Sequence, residues 1–158
     1  MKKFNILLIL LLILVTGCTN KNTGEEDKSE YLAMKSNLIE NEEFLEASDL
    51  DFDITISVDR INDEEVSYRV IIDNPKVNMN DIKAMVVHNY YTEDIFPSLG
   101  LFDDKESLVV GNEDVKGIEL VGYIDTTKDI DELNLELKIW VEYTLDDGEV
   151  KDIYYKAT

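Results

Sequence analysis

Apolar and polar residues alternate strictly from residue 50 to residue 59. The apolar positions are Leu50, Phe52, Ile54, Ile56 and Val58, and each neighbour between them is Asp, Thr or Ser. Successive side chains of a β-strand point to opposite faces of a sheet, so this period of two predicts a strand with one buried face. The chain must therefore contain a sheet that contacts a core on one side.

Five further segments show strand patterns. Between the last two of them, Asp146-Asp147-Gly148 is a hairpin turn signal. Residues 82–91 are apolar on both faces, which predicts a central strand or a covered outer face. The remaining segments are 66–73, 117–125, 134–144 and 149–156.

Turn signals recur at short spacing between these strands, and no helical pattern separates them. This is typical of an all-β, antiparallel β-sandwich, and we expect the immunoglobulin-like type over residues 49–158. The prediction depends on strand number and length alone, because the Cys…Trp…Cys spacing of antibody domains is absent. A small antiparallel barrel is the alternative.

A helical pattern precedes the strands, over residues 29–48. Its apolar residues lie mostly on one face of period 3.6, and Ser29 is a suitable N-cap. An apolar stripe on a lone helix needs a partner surface, so we expect this helix to pack on the β domain. The residues of the stripe are Tyr31, Leu32, Met34, Leu38, Ile39 and Leu45.

The first 17 residues have the order of an export signal. Lys2 and Lys3 precede an unbroken apolar run from Ile6 to Val15. Ten residues are too few for a transmembrane helix, which needs roughly 18 or more. The run fits the hydrophobic region of a signal peptide, with an ordinary secretory signal as one interpretation.

The tetrapeptide Val15-Thr16-Gly17-Cys18 resembles the lipobox of bacterial lipoproteins. This resemblance covers residues 1–18 and implies cleavage before Cys18 and acylation of its thiol, with attachment to the extracytoplasmic face of the cell membrane. Cys18 is the only cysteine of the chain, so no disulfide can form within it. Residues 18–28 then read as a polar tether. The Lys, Ile, Asn and Asp-rich usage suggests a Gram-positive type of surface lipoprotein.

The charge excludes one class of partner. The chain has 15 basic and 35 acidic residues, a formal charge of −20, and removal of Lys2 and Lys3 takes it to −22. Nucleic-acid binding needs clustered Lys and Arg, so we exclude it. Disorder is not expected, since Leu, Ile, Val and Phe make up 41 of the 141 residues after residue 17.

Catalysis has little support in the sequence. A nucleophilic Ser or Cys needs a base, usually His, and the one histidine, His88, lies on a predicted strand among apolar residues. We expect His88 to be structural, no zinc site and no enzyme. Calcium is a weak possibility, because two predicted connections are crowded with carboxylates. They are Asp125, Asp129, Asp131 and Glu132 in one, and Asp146, Asp147 and Glu149 in the other.

Two features are candidates for partner binding. Trp140 has the outward parity of its strand, so it is either an exposed hot-spot residue or covered by the helix. The connection after Tyr91 is unusually apolar, so it is either a binding loop or an irregular edge strand whose side chains enter the core. Its candidate residues are Phe96, Leu99 and Phe102, together with Tyr91.

These features favour a membrane-anchored, non-enzymatic protein-binding or accessory module at the cell surface. Its partners would be the lipid bilayer, through Cys18, and an envelope or extracellular protein, with a basic protein as the first candidate. The alternative is an immunity or exclusion lipoprotein that protects the cell from a secreted toxin or a conjugation apparatus. Ligand capture for a transporter is a third class, disfavoured by the small size.

Overall fold

A computed structural model describes residues 23–90, 95–112, 114 and 117–158 of the chain. Its elements are one long helix, eight strands and two short 3₁₀ turns. In chain order they are α1 (Thr23–Glu40), β1 (Asp53–Asn62), β2 (Glu65–Asp73), β3 (Met79–His88), β4 (Ser98–Leu99), β5 (Glu106–Leu108), β6 (Gly117–Asp125), β7 (Leu137–Thr144) and β8 (Val150–Ala157), with the 3₁₀ turns at Ala47–Asp49 and Ile130–Glu132.

The strands form two antiparallel sheets. The three-stranded sheet has the order β1-β2-β6, and the five-stranded sheet has the order β4-β3-β7-β8, with β5 beside β4 on the same edge of β3. The all-β, antiparallel sandwich expected from the alternation is therefore confirmed at this level. Among the described residues, β1 pairs with β2 only, so its other edge has no strand partner.

The inner faces of the two sheets enclose the main core. Each strand contributes every second residue, as the alternation predicts. Tyr68 of β2 lies across Gly122 of β6, and a Cβ at position 122 would stand 2.2 Å from the Tyr68 ring. The largest buried members are Phe52, Tyr68, Ile72, Met79, Ile82, Leu108, Ile124 and Tyr143.

A second core lies on the opposite face of the five-stranded sheet, under α1. Tyr31 and Leu38 of the helix pack on Met85 and Val87 of β3 and on Trp140 of β7. The molecule thus has three layers: helix, five-stranded sheet and three-stranded sheet. This explains why the β3 segment is apolar on both sides, as the sequence suggested.

The helix differs from the predicted segment 29–48 at both ends. It begins at Thr23, inside the expected tether 18–28, with Glu25 and Glu26 placed favourably at the positive end of the helix dipole. It ends at Glu40, because the following residues are extended. There the Leu45 N–H donates to the Tyr154 carbonyl at 2.9 Å, beside a parallel bridge to Tyr155.

Candidate functional site

Trp140 is not an exposed hot spot. Its parity does direct it away from the sandwich core, but α1 covers that face and leaves 1% of the residue exposed. The indole N–H donates to the Asp152 carboxylate on the neighbouring strand. Cover by the helix, the second of the two arrangements expected from the sequence, is the one found. Trp140 is therefore a core residue.

The apolar connection after Tyr91 is mostly structural as well. Phe96 is 2% exposed, and its N–H donates to the Tyr31 hydroxyl at 2.6 Å. Leu99 is half-buried in β4, opposite Ala84. Phe102 is the exception: 56% exposed, with its ring centroid 5.1 Å from that of Tyr31. Tyr91 lies outside the described residues. The edge-strand interpretation therefore fits Phe96 and Leu99.

Lysines hold the helix on the sheet at two levels. Near the middle, Lys83 pairs with Glu30 at 2.5 Å and with Glu142 at 3.4 Å. At the end, the Lys138 ammonium donates to the carbonyls of Ile39 and Asn41, at 2.6 and 2.9 Å. A cation at the negative end of a helix dipole stabilises the last turn. Here it also fixes where the helix stops.

His88 lies in a dry environment between the two cores. It is 2% exposed and contacts the rings of Tyr68 and Phe96 edge-to-face, with centroids 5.4 and 5.0 Å away. Its Nδ1 accepts the Tyr90 N–H at 3.1 Å. Burial lowers the pKa of His88 to about 4, so the ring is neutral at physiological pH. This environment fits the structural role expected for it.

The carboxylates proposed for calcium in the second connection are engaged in local structure, whereas in the first connection it is the backbone that is held. Asp146 accepts the side-chain amides of Asn78 and Asn80, at 2.8 and 3.0 Å, which ties the β7–β8 turn to β3. Around the other connection, Arg60 donates to the carbonyls of Thr126 and Lys128. Within the described part of the chain, no three His, Cys, Asp or Glu side chains could together hold a metal ion.

An open groove lies beside the helix, on the part of the sheet that α1 leaves uncovered. Its volume is about 440 Å³, within the range of ligand sites. One wall is the extended segment 41–45, and the other is the outer face of β8. The lining residues are Asn41, Glu43, Phe44, Leu45, Asp152 and Tyr154.

Sequence reasoning missed this groove, because its two walls are distant in the chain and the 41–45 segment was assigned to the helix. Asn41 would have been the useful signal, since its side-chain amide donates to the Glu43 carbonyl and so stabilises a non-helical turn.

Cys18 and the rest of the lipobox lie outside the described residues. Among those that are described, no helix is both long and apolar enough to cross a membrane. Comparisons with protein-family models, curated proteins and solved structures found no match to this chain.

Proposed function

We propose that this protein is an extracytoplasmic lipoprotein, anchored through acylated Cys18, whose β domain is a non-enzymatic protein-binding or accessory module. The lipobox is the observation that carries the anchoring. The binding role is supported by an acidic surface, with 35 acidic against 15 basic residues, around a well-packed interior. A basic envelope or extracellular protein is the partner that such a surface favours.

The early start of the helix supports a domain held close to the bilayer. Four residues lie between Cys18 and Thr23, so the five Cα–Cα steps span at most about 18 Å. Glu30 meets Lys83 whereas the Ile39 carbonyl meets Lys138, so α1 runs alongside β3 in the same direction. The β7–β8 turn is then at the anchored end, and the loop held by Arg60 faces away from the membrane.

We also infer the immunoglobulin-like type of sandwich. In the constant type of that fold, the first, second, fourth and fifth strands share one sheet, and the third, sixth and seventh share the other; among its described residues, this chain lacks the fourth strand in its three-stranded sheet. Treating β4 and β5 as edge additions, the orders β1-β2-β6 and β3-β7-β8 have this arrangement. The known fold requires no disulfide between its sheets, and this chain relies on apolar packing instead.

Anchoring is tested with Cys18→Ser in cells. We expect the wild-type chain to incorporate a labelled palmitate analogue and to fractionate with membranes, and the variant to do neither. Unchanged labelling and fractionation of the variant would contradict lipidation. The binding role is tested by crosslinking in intact cells, followed by capture of the protein. For work on a soluble form, the chain should begin at residue 19, because starting at Ser29 would delete the first six residues of α1.

A further inference from the structure

We propose that the groove between segment 41–45 and β8, lined by Phe44, Tyr154, Glu43 and Asp152, binds a Lys or Arg side chain of a basic protein partner. This inference rests on the proposed function in one respect, namely that the partner is a protein.

The groove offers a carboxylate that the fold has already oriented. Asp152 is exposed, and its Oδ1 accepts the N–H of buried Trp140, which fixes the carboxylate at the groove wall. No Lys or Arg among the described residues lies within ion-pair distance of Asp152, whereas Lys83, Lys151 and Lys156 each pair with a different carboxylate. Asp152 therefore retains the capacity to pair with an incoming cation.

The aromatic lining suits the same ligand. The ammonium groups of Lys138 and Lys156 each lie 5.5 Å from the centroid of the Phe44 ring, so that ring is already engaged and Tyr154 is the aromatic face left for an incoming cation. Tyr154, on the opposite wall, is half-buried with no cation over its ring in the described part of the chain. The carboxylate attracts a guanidinium or ammonium group by its charge, and the aromatic face beside it attracts the same group through a cation–π contact.

Charge complementarity selects the partner. The two native cations at Phe44 are bound elsewhere: Lys138 by the helix carbonyls, and Lys156 by Glu136 at 3.5 Å. Asp152 also accepts a hydrogen bond from the Tyr154 hydroxyl, but neither Glu43 nor Asp152 has a Lys or Arg partner among the described residues of this protein of net charge −20. A basic partner approaching this surface would find its charge attracted over long range and one side chain held at short range.

The structure supplies its own reporter of occupancy. Trp140 is the only tryptophan, and its indole N–H contacts the carboxylate that would bind the cation. The full-length protein, purified in detergent, is titrated with N-acetyl-tetralysine amide while Trp140 emission is recorded. We expect a saturable change in emission that weakens as NaCl is raised, because salt screens the ion pair. A change that never saturates, or no change, overturns the proposal.

Asp152→Asn separates the charge from the hydrogen bond, because the Asn carbonyl can still accept the Trp140 N–H. We expect it to weaken tetralysine binding at least tenfold while leaving the starting emission and the far-UV circular dichroism unchanged. Asp125→Asn is the matched control, since it removes one exposed carboxylate from the other sheet. It should weaken binding less than twofold. Equal losses in the two variants would show only general attraction and would overturn the site.

Two further arms test the aromatic wall and the kind of ligand. Tyr154→Leu should weaken tetralysine binding at least fivefold. Glu43→Gln provides a second charge variant if Asp152→Asn does not fold.

Spermidine should bind at least tenfold more weakly than the peptide. Equal affinity of spermidine and the peptide would overturn a protein side chain as the ligand. If these binding experiments fail while membrane attachment still depends on Cys18, cation binding in the groove is refuted. The proposal that Cys18 anchors the protein is then unaffected.

Discussion

Replacing Trp140 by alanine tests whether α1 is an integral layer of the domain. The side chain is 1% exposed between the helix and the sheet. Burying a Trp removes about 150–250 Å² from water. At roughly 25 cal/mol per Å² this is about 4–6 kcal/mol, part of which the alanine methyl and local relaxation recover. We therefore expect a loss of about 3–5 kcal/mol in the free energy of unfolding.

The measurement is urea unfolding followed by far-UV circular dichroism, because the variant lacks the only tryptophan. Phe102→Ala is the matched control: it removes another aromatic ring near the helix, but one that is 56% exposed, and should cost under about 1 kcal/mol. A loss below about 1 kcal/mol for Trp140→Ala, with an unchanged denaturant slope, would refute the packing of α1 on this face.

Three other substitutions have defined outcomes. Gly122→Ala should lower the free energy of unfolding by more than about 2 kcal/mol in urea, because its Cβ would overlap the Tyr68 ring; wild-type stability would contradict that contact. Burial lowers the pKa of His88 to about 4 from 6.5, so neutral His88 contributes stability above pH 6.5 that is lost as pH falls towards 4. Over that range the free energy of unfolding of the wild type should fall by up to about 3 kcal/mol more than that of His88→Gln. Parallel pH profiles of the two proteins would contradict the lowered pKa of His88. Lys138→Met should cost about 1 kcal/mol and speed amide exchange in the last turn of α1, whereas unchanged exchange would show that the ammonium does not cap the helix.

The sheets were largely predictable from the sequence because their signal is local. Residues 117–125 form β6 with the predicted bounds, and β2 adds only Glu65 to the start of the predicted 66–73 segment. Parity also predicted that Trp140 points away from the sandwich core. Whether the helix covers it was left open by the sequence, since that depends on an element about a hundred residues earlier in the chain.

The ends of the helix and the groove depended on long-range contacts. Leu45 fits the helical period, but its backbone bonds to Tyr154 and its neighbours contact Lys138, so tertiary pairing overrode local preference. The sequence left the apolar segment containing Phe96 open between a binding loop and an edge strand for a related reason. Its burial requires Tyr31 and His88, which no short window of sequence brings together.

The open edge of β1 gives the acidity of the chain a second consequence. The unpaired edge of a ten-residue strand is a template on which another molecule can add a strand. Natural proteins avoid this with charged side chains or with short edge strands. Here the strand is long, and mutual repulsion between molecules of charge −20 keeps such edges apart. Lowering the pH to the isoelectric point of about 4.2 removes that repulsion, so this protein should self-associate through the β1 edge near that pH.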